Sequence, residues 1–358
     1  MDYNDPNLKT IEWTENLRKI YMKKIEAKII ADSINKQGNR ITTMILTFPR
    51  FILAELNTHR MFSKNSASSR AIPFKKMIKM CEEDPFIPIA WQSHHSGMQG
   101  NEYITNLKKI EHAKDSWISA SKQAILMAKI LDNCEITKQL CNRLLEPFMW
   151  HTVLLTATEF DNFFNLRCPK YCDKVYTYNS KKDYIKDNDL NSINDVSTDY
   201  WRQINKSGAE IHMQALAESM WDVMNESTPK LLQPGEWHAP YQDKIDLQEL
   251  GKITDSYNFT SKKNIEARLK ICSSRCARLS YMTQDGAIDY QKDLELYDRL
   301  ASSGHASPME HICRVLTDYE YNNLGRSVRN TDGTFSFQKG WVDNFKGFIS
   351  YRRILNFS

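Results

Sequence analysis

An α+β protein, with helices packed on a mostly antiparallel sheet, is the fold class this sequence predicts. Two observations carry it. Residues 24–34 and 40–48 are rich in β-branched side chains and are separated by Gly38-Asn39, a hairpin punctuation. Farther along, apolar residues recur at steps of three and four in several segments, the period of helices that bury one face. Both kinds of element in one chain imply helix layered on sheet.

Pro49 opens a helix over 49–60, since its fixed φ and missing N–H suit a first helical turn. A longer helix is expected from Ser116 to Leu131, with Trp117, Ala120, Ala124, Met127 and Leu131 on one face. A helical segment at 137–149 leads into the apolar run Val153-Leu154-Leu155. Residues 168–205 turn polar, with Lys181-Lys182-Asp183 and Asp187-Asn188-Asp189, and predict a long loop or insertion. Helical spacing returns at 209–225 (Met213, Leu216, Met220, Met224), at 264–278 and at 289–303. The last of these ends at Gly304, a C′ glycine.

The chain has 358 residues, of which 41% are apolar and 26% charged, the balance of a soluble globular enzyme and not of a disordered tail. Lys and Arg number 48 against 44 Asp and Glu, a net charge of +4. That excess is too weak to argue for a nucleic-acid polymer as partner, though it suits a small anionic substrate. No stretch approaches the run of about 18 apolar residues a membrane helix needs. Met1-Asp2-Tyr3-Asn4-Asp5 has neither the basic start nor the apolar core of a signal peptide, so a cytoplasmic protein is expected.

Several chemistries are disfavoured by what is missing. Neither the Rossmann fingerprint nor the P-loop pattern occurs, and Gly-x-Ser-x-Gly and His-Glu-x-x-His are absent too. The pairs Cys168/Cys172 and Cys272/Cys276 each enclose three residues, not the two or four of zinc knuckles. They predict buried or incidental thiols and no metal.

The dense polar cluster is Thr58-His59-Arg60-Met61-Phe62-Ser63-Lys64-Asn65-Ser66-Ala67-Ser68-Ser69-Arg70. It offers many donors for phosphate and for heterocycle edges. Composition alone favours a solvated loop with an N-cap serine. The pattern changes that weighting, because it resembles the signature of the flavin-dependent thymidylate synthases, Arg-His-Arg followed after seven residues by Ser. Here His59, Arg60, Ser63, Asn65, Ser68 and Arg70 fall in register. Thr58 replaces the first Arg, Ser66 a Glu and Ala71 a Tyr. Further segments are similar to the same family: Arg143-Leu-Leu-Glu-Pro147, Asn162-Phe-Phe-Asn-Leu-Arg167, Cys276-Ala-Arg-Leu-Ser-Tyr281 and Gly304-His-Ala-Ser-Pro-Met-Glu-His311.

The order of these elements departs from the family. Its Ala-Arg-Val-Ser-Tyr and Gly-His-x-Ser-Pro-Phe-Glu-His segments precede the His-Arg cluster, whereas here they come last. A circular permutation accounts for this, with the old termini joined through roughly 226–263, where Pro229, Pro234, Gly235 and Pro240 lie. The expectation is one permuted catalytic domain over 1–358: a motif half at 24–167, an insertion at 168–207, a helix and connector at 208–263, and a second motif half at 264–358. His311 should then approach the 40–60 region, and the segment Ile312–Thr317 should pair near the strand at 40–48.

The resemblance implies transfer of a one-carbon unit from methylenetetrahydrofolate to C5 of dUMP, with NADPH-reduced FAD as hydride donor. It places His59, Arg60, Asn65, Asn162 and His311 at the flavin, and Ser68, Arg70 and Arg143 at the nucleotide. Arg167 would face the pyrimidine, where a fixed positive charge favours the electron-rich C5 of an enolate-like state. Arg167 and Asn162 sit beside Phe163, Phe164 and Leu166, and polar groups in so apolar a setting need partners. Glu55, one turn before His59, is either a core-rim carboxylate or a contact to the base. A homotetramer with active sites between subunits is also implied. The departures at Thr58 and Ser66 leave two alternatives: a flavin-dependent hydroxymethylase acting on dUMP or dCMP, in which water rather than hydride ends the reaction, and an inactive nucleotide-binding relative. Weak net charge and the lack of basic runs interleaved with aromatics count against an RNA-binding role for the latter.

Overall fold

The computed structural model describes residues 24–97, 100, 102–190, 192–193, 196–279 and 289–356. It is α+β, with a mostly antiparallel sheet between helical layers. Strands Glu26–Asn35 and Arg40–Pro49 form the expected hairpin, paired from Glu26↔Thr47 to Ile34↔Arg40 with a register slip between Ile29 and Ala31. The turn needs Gly38, which sits at φ 80°, where other residues are strained. Asn35 locks it, its Oδ1 accepting from the backbone N–H of Gln37 and of Asn39 at 3.1 and 2.9 Å.

The main sheet runs Ser63–Ser66, Trp150–Ala157, Arg40–Pro49, Glu26–Asn35, Lys230–Leu232, and only the last strand is parallel to its neighbour. Side chains alternate across it. Met44, Leu46, Phe48, Val153, Leu155 and Ala157 face one layer, made by the helices Asp161–Arg167 and Ile211–Glu226. Met213, Leu216, Ala217 and Met220 of the longer helix, at steps of three, one and three, present the matching stripe. Each such fully buried side chain contributes about 1.5–3 kcal/mol. Ile45 and Leu154 face the second layer, where helices Lys262–Arg278 and Tyr290–Ser302 pack with Met309, Ile312 and Tyr351.

Those two helices are tied by Asp293, which is 3% exposed and accepts from Arg275 Nε at 3.3 Å and from Arg278 Nε at 2.8 Å. Arg278, the arginine of the Ala-Arg-Leu-Ser-Tyr segment, thus holds the helix pair together. Removing one partner of a buried pair leaves the other charge uncompensated. Asp293→Ala is expected to cost about 3 kcal/mol, seen as a lower urea midpoint. An unchanged midpoint would show the pair to be stabilising nothing.

Several elements differ from the sequence expectation. The 49–60 helix is a 3-10 turn at Arg50–Ile52 followed by a short α-helix, Leu53–Asn57. The long helix spans Leu107–Asn133, and its buried face is Ser121, Ile125 and Ala128, while Ala120 and Met127 are exposed. Residues 137–149 divide into Lys138–Cys141 and a 3-10 stretch, Asn142–Phe148, which accommodates Pro147. The 168–207 segment is no structureless loop. It holds strands Tyr171–Cys172 and Thr177–Tyr178 and helices Lys181–Asp187 and Thr198–Ile204 around Tyr171, Tyr178, Tyr184, Ile185 and Trp201. The connector carries helix Leu247–Thr254 and the parallel edge strand Lys230–Leu232.

The strand after His311, Cys313–Val315, does not pair with Arg40–Pro49. It joins Trp237–His238 and Phe348–Ser350 in a separate three-stranded sheet. That sheet packs its apolar side on Ile41 and Leu232, so the segment meets the main sheet through side chains. Hydrogen bonds complete the junction: Ser63 Oγ donates to Glu310 Oε1 at 2.8 Å, and His311 Nδ1 lies 2.8 Å from Thr156 Oγ1. Among the described residues, no helix is long and apolar enough to cross a membrane.

Candidate functional site

The Leu53–Asn57 helix ends in a cap assembled from the polar cluster. Thr58 Oγ1 donates to the Glu55 carbonyl at 2.7 Å, and Lys64 Nζ donates to the carbonyls of Leu56 and His59, both at 3.1 Å. An ammonium suits a helix C-terminus, where carbonyls lack partners and the dipole is negative. Burial pushes the Lys64 amine down to about 8.

His59 follows this cap, its ring edge-on to Phe163 with centroids 4.8 Å apart. Arg167, the last residue of the Asp161–Arg167 helix, reaches back to the same place. Its Nε donates to His59 Nε2 at 3.1 Å, and its Nη1 donates to Glu55 Oε1 in an ion pair. Burial, then the charges of Arg167 and Lys64, pushes the imidazole down to about 4, so His59 is neutral near pH 7. Since Nε2 accepts, the remaining proton belongs on Nδ1. Burial raises the Glu55 carboxyl above its ordinary range, and Arg167 pulls it back.

Glu55, Thr58 and Arg167 line a cavity of about 880 Å³ together with Lys170, Lys206 and Glu210. With Nε and Nη1 engaged, the guanidinium is fixed in orientation at the cavity wall. Such a preset charge stabilises negative charge developing on a bound ligand without reorganising. Glu55 is therefore an ion-pair partner that positions Arg167.

The other predicted residues fall elsewhere. Strand alternation splits the motif: Lys64 and Ser66 face the His59 side, while Ser63 and Asn65 face the opposite layer. Asn65 Nδ2 donates to the Cys276 carbonyl at 3.1 Å. His311 is fully buried on that same far side. It ends a polar chain in which Ser33 Oγ meets His238 Nδ1 at 2.9 Å, His238 Nε2 meets Thr43 Oγ1 at 2.8 Å, and Thr43 meets Thr156 at 2.7 Å. His311 Nε2 has no hydrogen-bond partner among the described residues.

Asn162 is exposed, contrary to the apolar setting its neighbours suggest, because Phe163 and Phe164 turn into the core and leave it outward. Arg60 is exposed as well. Ser68, Arg70 and Arg143 lie along another edge. Arg70 Nε donates to Gln139 Oε1 at 3.2 Å, and Arg143 is an exposed charge close enough to Arg50 to help lower its pKa. Behind them, Glu146 accepts from Ser69 Oγ at 2.8 Å and Arg50 Nη2 at 3.4 Å, and Arg50 Nη1 donates to His151 Nε2 at 3.0 Å. None of the three lines the Arg167 cavity.

Sequence reasoning missed Lys64, Lys170, Lys206 and Glu210. Lys64 carried no signal of its own, because only the strand Ser63–Ser66 seen in the structure puts it on the face opposite Ser63 and Asn65. Lys206 comes from the far end of the 168–207 segment and Glu210 from the cap of the Ile211–Glu226 helix just beyond it, and nothing local ties either to Arg167. Cys272 and Cys276 are both buried, and burial raises both thiols, Cys272 to about 12. Met1–Asp5, Ser280 and Tyr281 lie outside the described residues.

No family model and no curated protein matches the chain. Among solved structures, it is similar to PolB from Streptomyces cacaoi, a UMP/dUMP methylase, bound with 5-Br UMP. That match has 14% identity, spans 57% of this chain and 90% of that one, and has a TM-score of 0.40. The same methylase bound with 5-Br dUMP gives 13% identity, 63% and 77% coverage, and a TM-score of 0.37. At these values the likeness assigns the chain neither a family nor an activity.

Proposed function

We propose that the protein transfers a one-carbon unit to C5 of a pyrimidine deoxynucleotide, dUMP in the first instance, with methylenetetrahydrofolate as donor, as flavin-dependent thymidylate synthases do. The observation that carries this reading is Arg167, held by His59 and Glu55 at the wall of the 880 Å³ cavity. Two separate motif segments, 58–70 and 162–167, supply that contact. In the reaction, C5 becomes nucleophilic as negative charge spreads onto the pyrimidine carbonyl, and Arg167 stabilises that charge. Neutral His59 fixes the guanidinium plane, and Lys170 and Lys206 add positive charge to the cavity.

FAD, reduced by NADPH, would supply a hydride to complete a methyl group. Within one protomer the residues assigned to the flavin do not form a single set: His59, Arg60 and Asn162 border the first layer, whereas Asn65 and His311 are enclosed in the second. The departures at Thr58 and Ser66 keep a second reading, a hydroxymethylase in which water in place of a hydride quenches the exocyclic methylene. Mass analysis of the product from dUMP or dCMP with methylenetetrahydrofolate and NADPH tests both. A methyl product supports the first reading, a hydroxymethyl product the second, and an unmodified nucleotide overturns both.

Within this proposal Ser68, Arg70 and Arg143 hold the phosphate of a nucleotide, by forked donors in the case of the arginines. Arg70→Ala is expected to weaken dUMP binding by about 30-fold, the loss of one charge-assisted contact. A change within twofold in calorimetric titration would return Arg70 to the ordinary surface. The proposal includes a homotetramer. Its support is an exposed apolar patch, Leu126, Met127, Ile130, Leu140 and Leu144, beside Arg143.

A further inference from the structure

A second cavity, of about 530 Å³, is lined mainly by the 168–207 segment, with Ile89, Ala90, Tyr103 and Ile211 completing it, and is separate from the Arg167 wall. Tyr103, Tyr171 and Trp201 give it aromatic surfaces, and Lys181 and Arg202 give it positive charge. Among the described residues no carboxylate lines it, although Glu218 lies behind Tyr171 and Lys181. Trp201 is 5% exposed, and its indole N–H has no acceptor among the described residues. A buried donor gains from an acceptor, so a ligand that brings one here is favoured. Arg202 lies over the Tyr103 ring, 5.5 Å from its centre, and its ion pair with the exposed Asp199, at 3.3 Å, is a weak competitor for an incoming anion. Lys181 is more firmly committed, to Glu218 at 2.9 Å. Ser207 lines both this cavity and the one that holds Arg167, so the two are adjacent.

We propose that this cavity binds a flat aromatic ring bearing an anionic group, the ring lying among Tyr103, Tyr171 and Trp201, an acceptor on it meeting the Trp201 N–H, and the anion meeting Arg202. Such a group has two sources under the function proposed above, on which this choice of ligands rests: the aminobenzoylglutamate tail of the folate donor, or the nucleotide itself. A tail seated here would leave the donor's reacting end toward Arg167, through the side that Ser207 shares.

Calorimetric titration of the full chain with p-aminobenzoylglutamate, and separately with dUMP, tests this. Trp201→Phe keeps the ring and removes the N–H; Arg202→Ala removes the charge. Both are expected to weaken p-aminobenzoylglutamate about tenfold. Without ligand, Trp201→Phe is expected to lower the unfolding midpoint modestly, because it removes buried ring volume from the core of the segment, so binding and not stability is the readout. Weakening of dUMP instead assigns the pocket to the nucleotide. Titrations with both probes unchanged by either variant would overturn the inference. Neither titration requires turnover, so a failed transfer reaction and a failed pocket are distinguishable.

Discussion

Arg167→Ala is expected to lower kcat/KM for C5 substitution by at least 100-fold, the usual loss on deleting one preorganised donor to developing charge. Three consequences converge on that residue. The cavity loses its fixed charge, Glu55 loses its cation, and His59 loses the donor that sets its tautomer. The Glu55 carboxyl, already raised by burial, then moves higher, since Arg167 is what pulls it down. The His59 imidazole moves up from about 4, because Arg167 is one of the charges that lower it. Arg167→Lys keeps the charge but not the planar fork, so it cannot donate along both directions and should recover only part of the rate. Folding should be little affected, as Arg167 and Glu55 are both partly exposed. Steady-state kinetics of the two variants decide this, and a loss below tenfold in Arg167→Ala would remove Arg167 from the reaction.

The second large effect is expected in acid. His59, His151, His238 and His311 are all buried, and burial holds their pKa values at about 4, 3, 4 and 3 against an ordinary 6.5. Each is therefore neutral in the folded protein at pH 5, while the unfolded chain protonates the same imidazoles. The unfolded state binds more protons throughout this interval, so stability falls as pH drops below about 6.5 and continues to fall toward 4. Two carboxyls oppose the trend. Burial raises Asp222 to about 6 and also raises Glu55, and these groups take up protons in the folded state first. Four histidines against two carboxyls leave the net direction destabilising. Urea midpoints measured from pH 7.5 to 4.5 should decline steadily below 6.5. A flat profile down to pH 5 would mean that these rings are hydrated in solution.

The sequence made the hairpin, the Trp150–Ala157 strand and the long helices legible, because period-two and period-3.6 patterns reflect burial directly. Arg167 was legible only through the resemblance of 162–167 to a family segment; in the structure the two phenylalanines before it anchor a short helix on the core and fix where its end lies. Helix 49–60 was overestimated because its end is set by side chains of the next strand, Lys64 above all, and not by any stop signal near Asn57. The division of the motif between two sheet faces was hidden too. A run of polar residues carries no alternation in hydrophobicity, so nothing announced that Ser63–Ser66 is a strand. The small core of the 168–207 segment escaped because its five members are spread through polar sequence without a period.

The central claim, that the protein substitutes C5 of a pyrimidine deoxynucleotide, is most directly tested by hydrogen release from that carbon. Purified protein is incubated with dUMP tritiated at C5, methylenetetrahydrofolate, FAD and NADPH, and tritium appearing in water is counted. Methyl and hydroxymethyl transfer both displace the C5 hydrogen, so the account predicts folate-dependent release that Arg167→Ala abolishes. Absence of release from both dUMP and dCMP, from protein that is folded and binds the nucleotide, would contradict it.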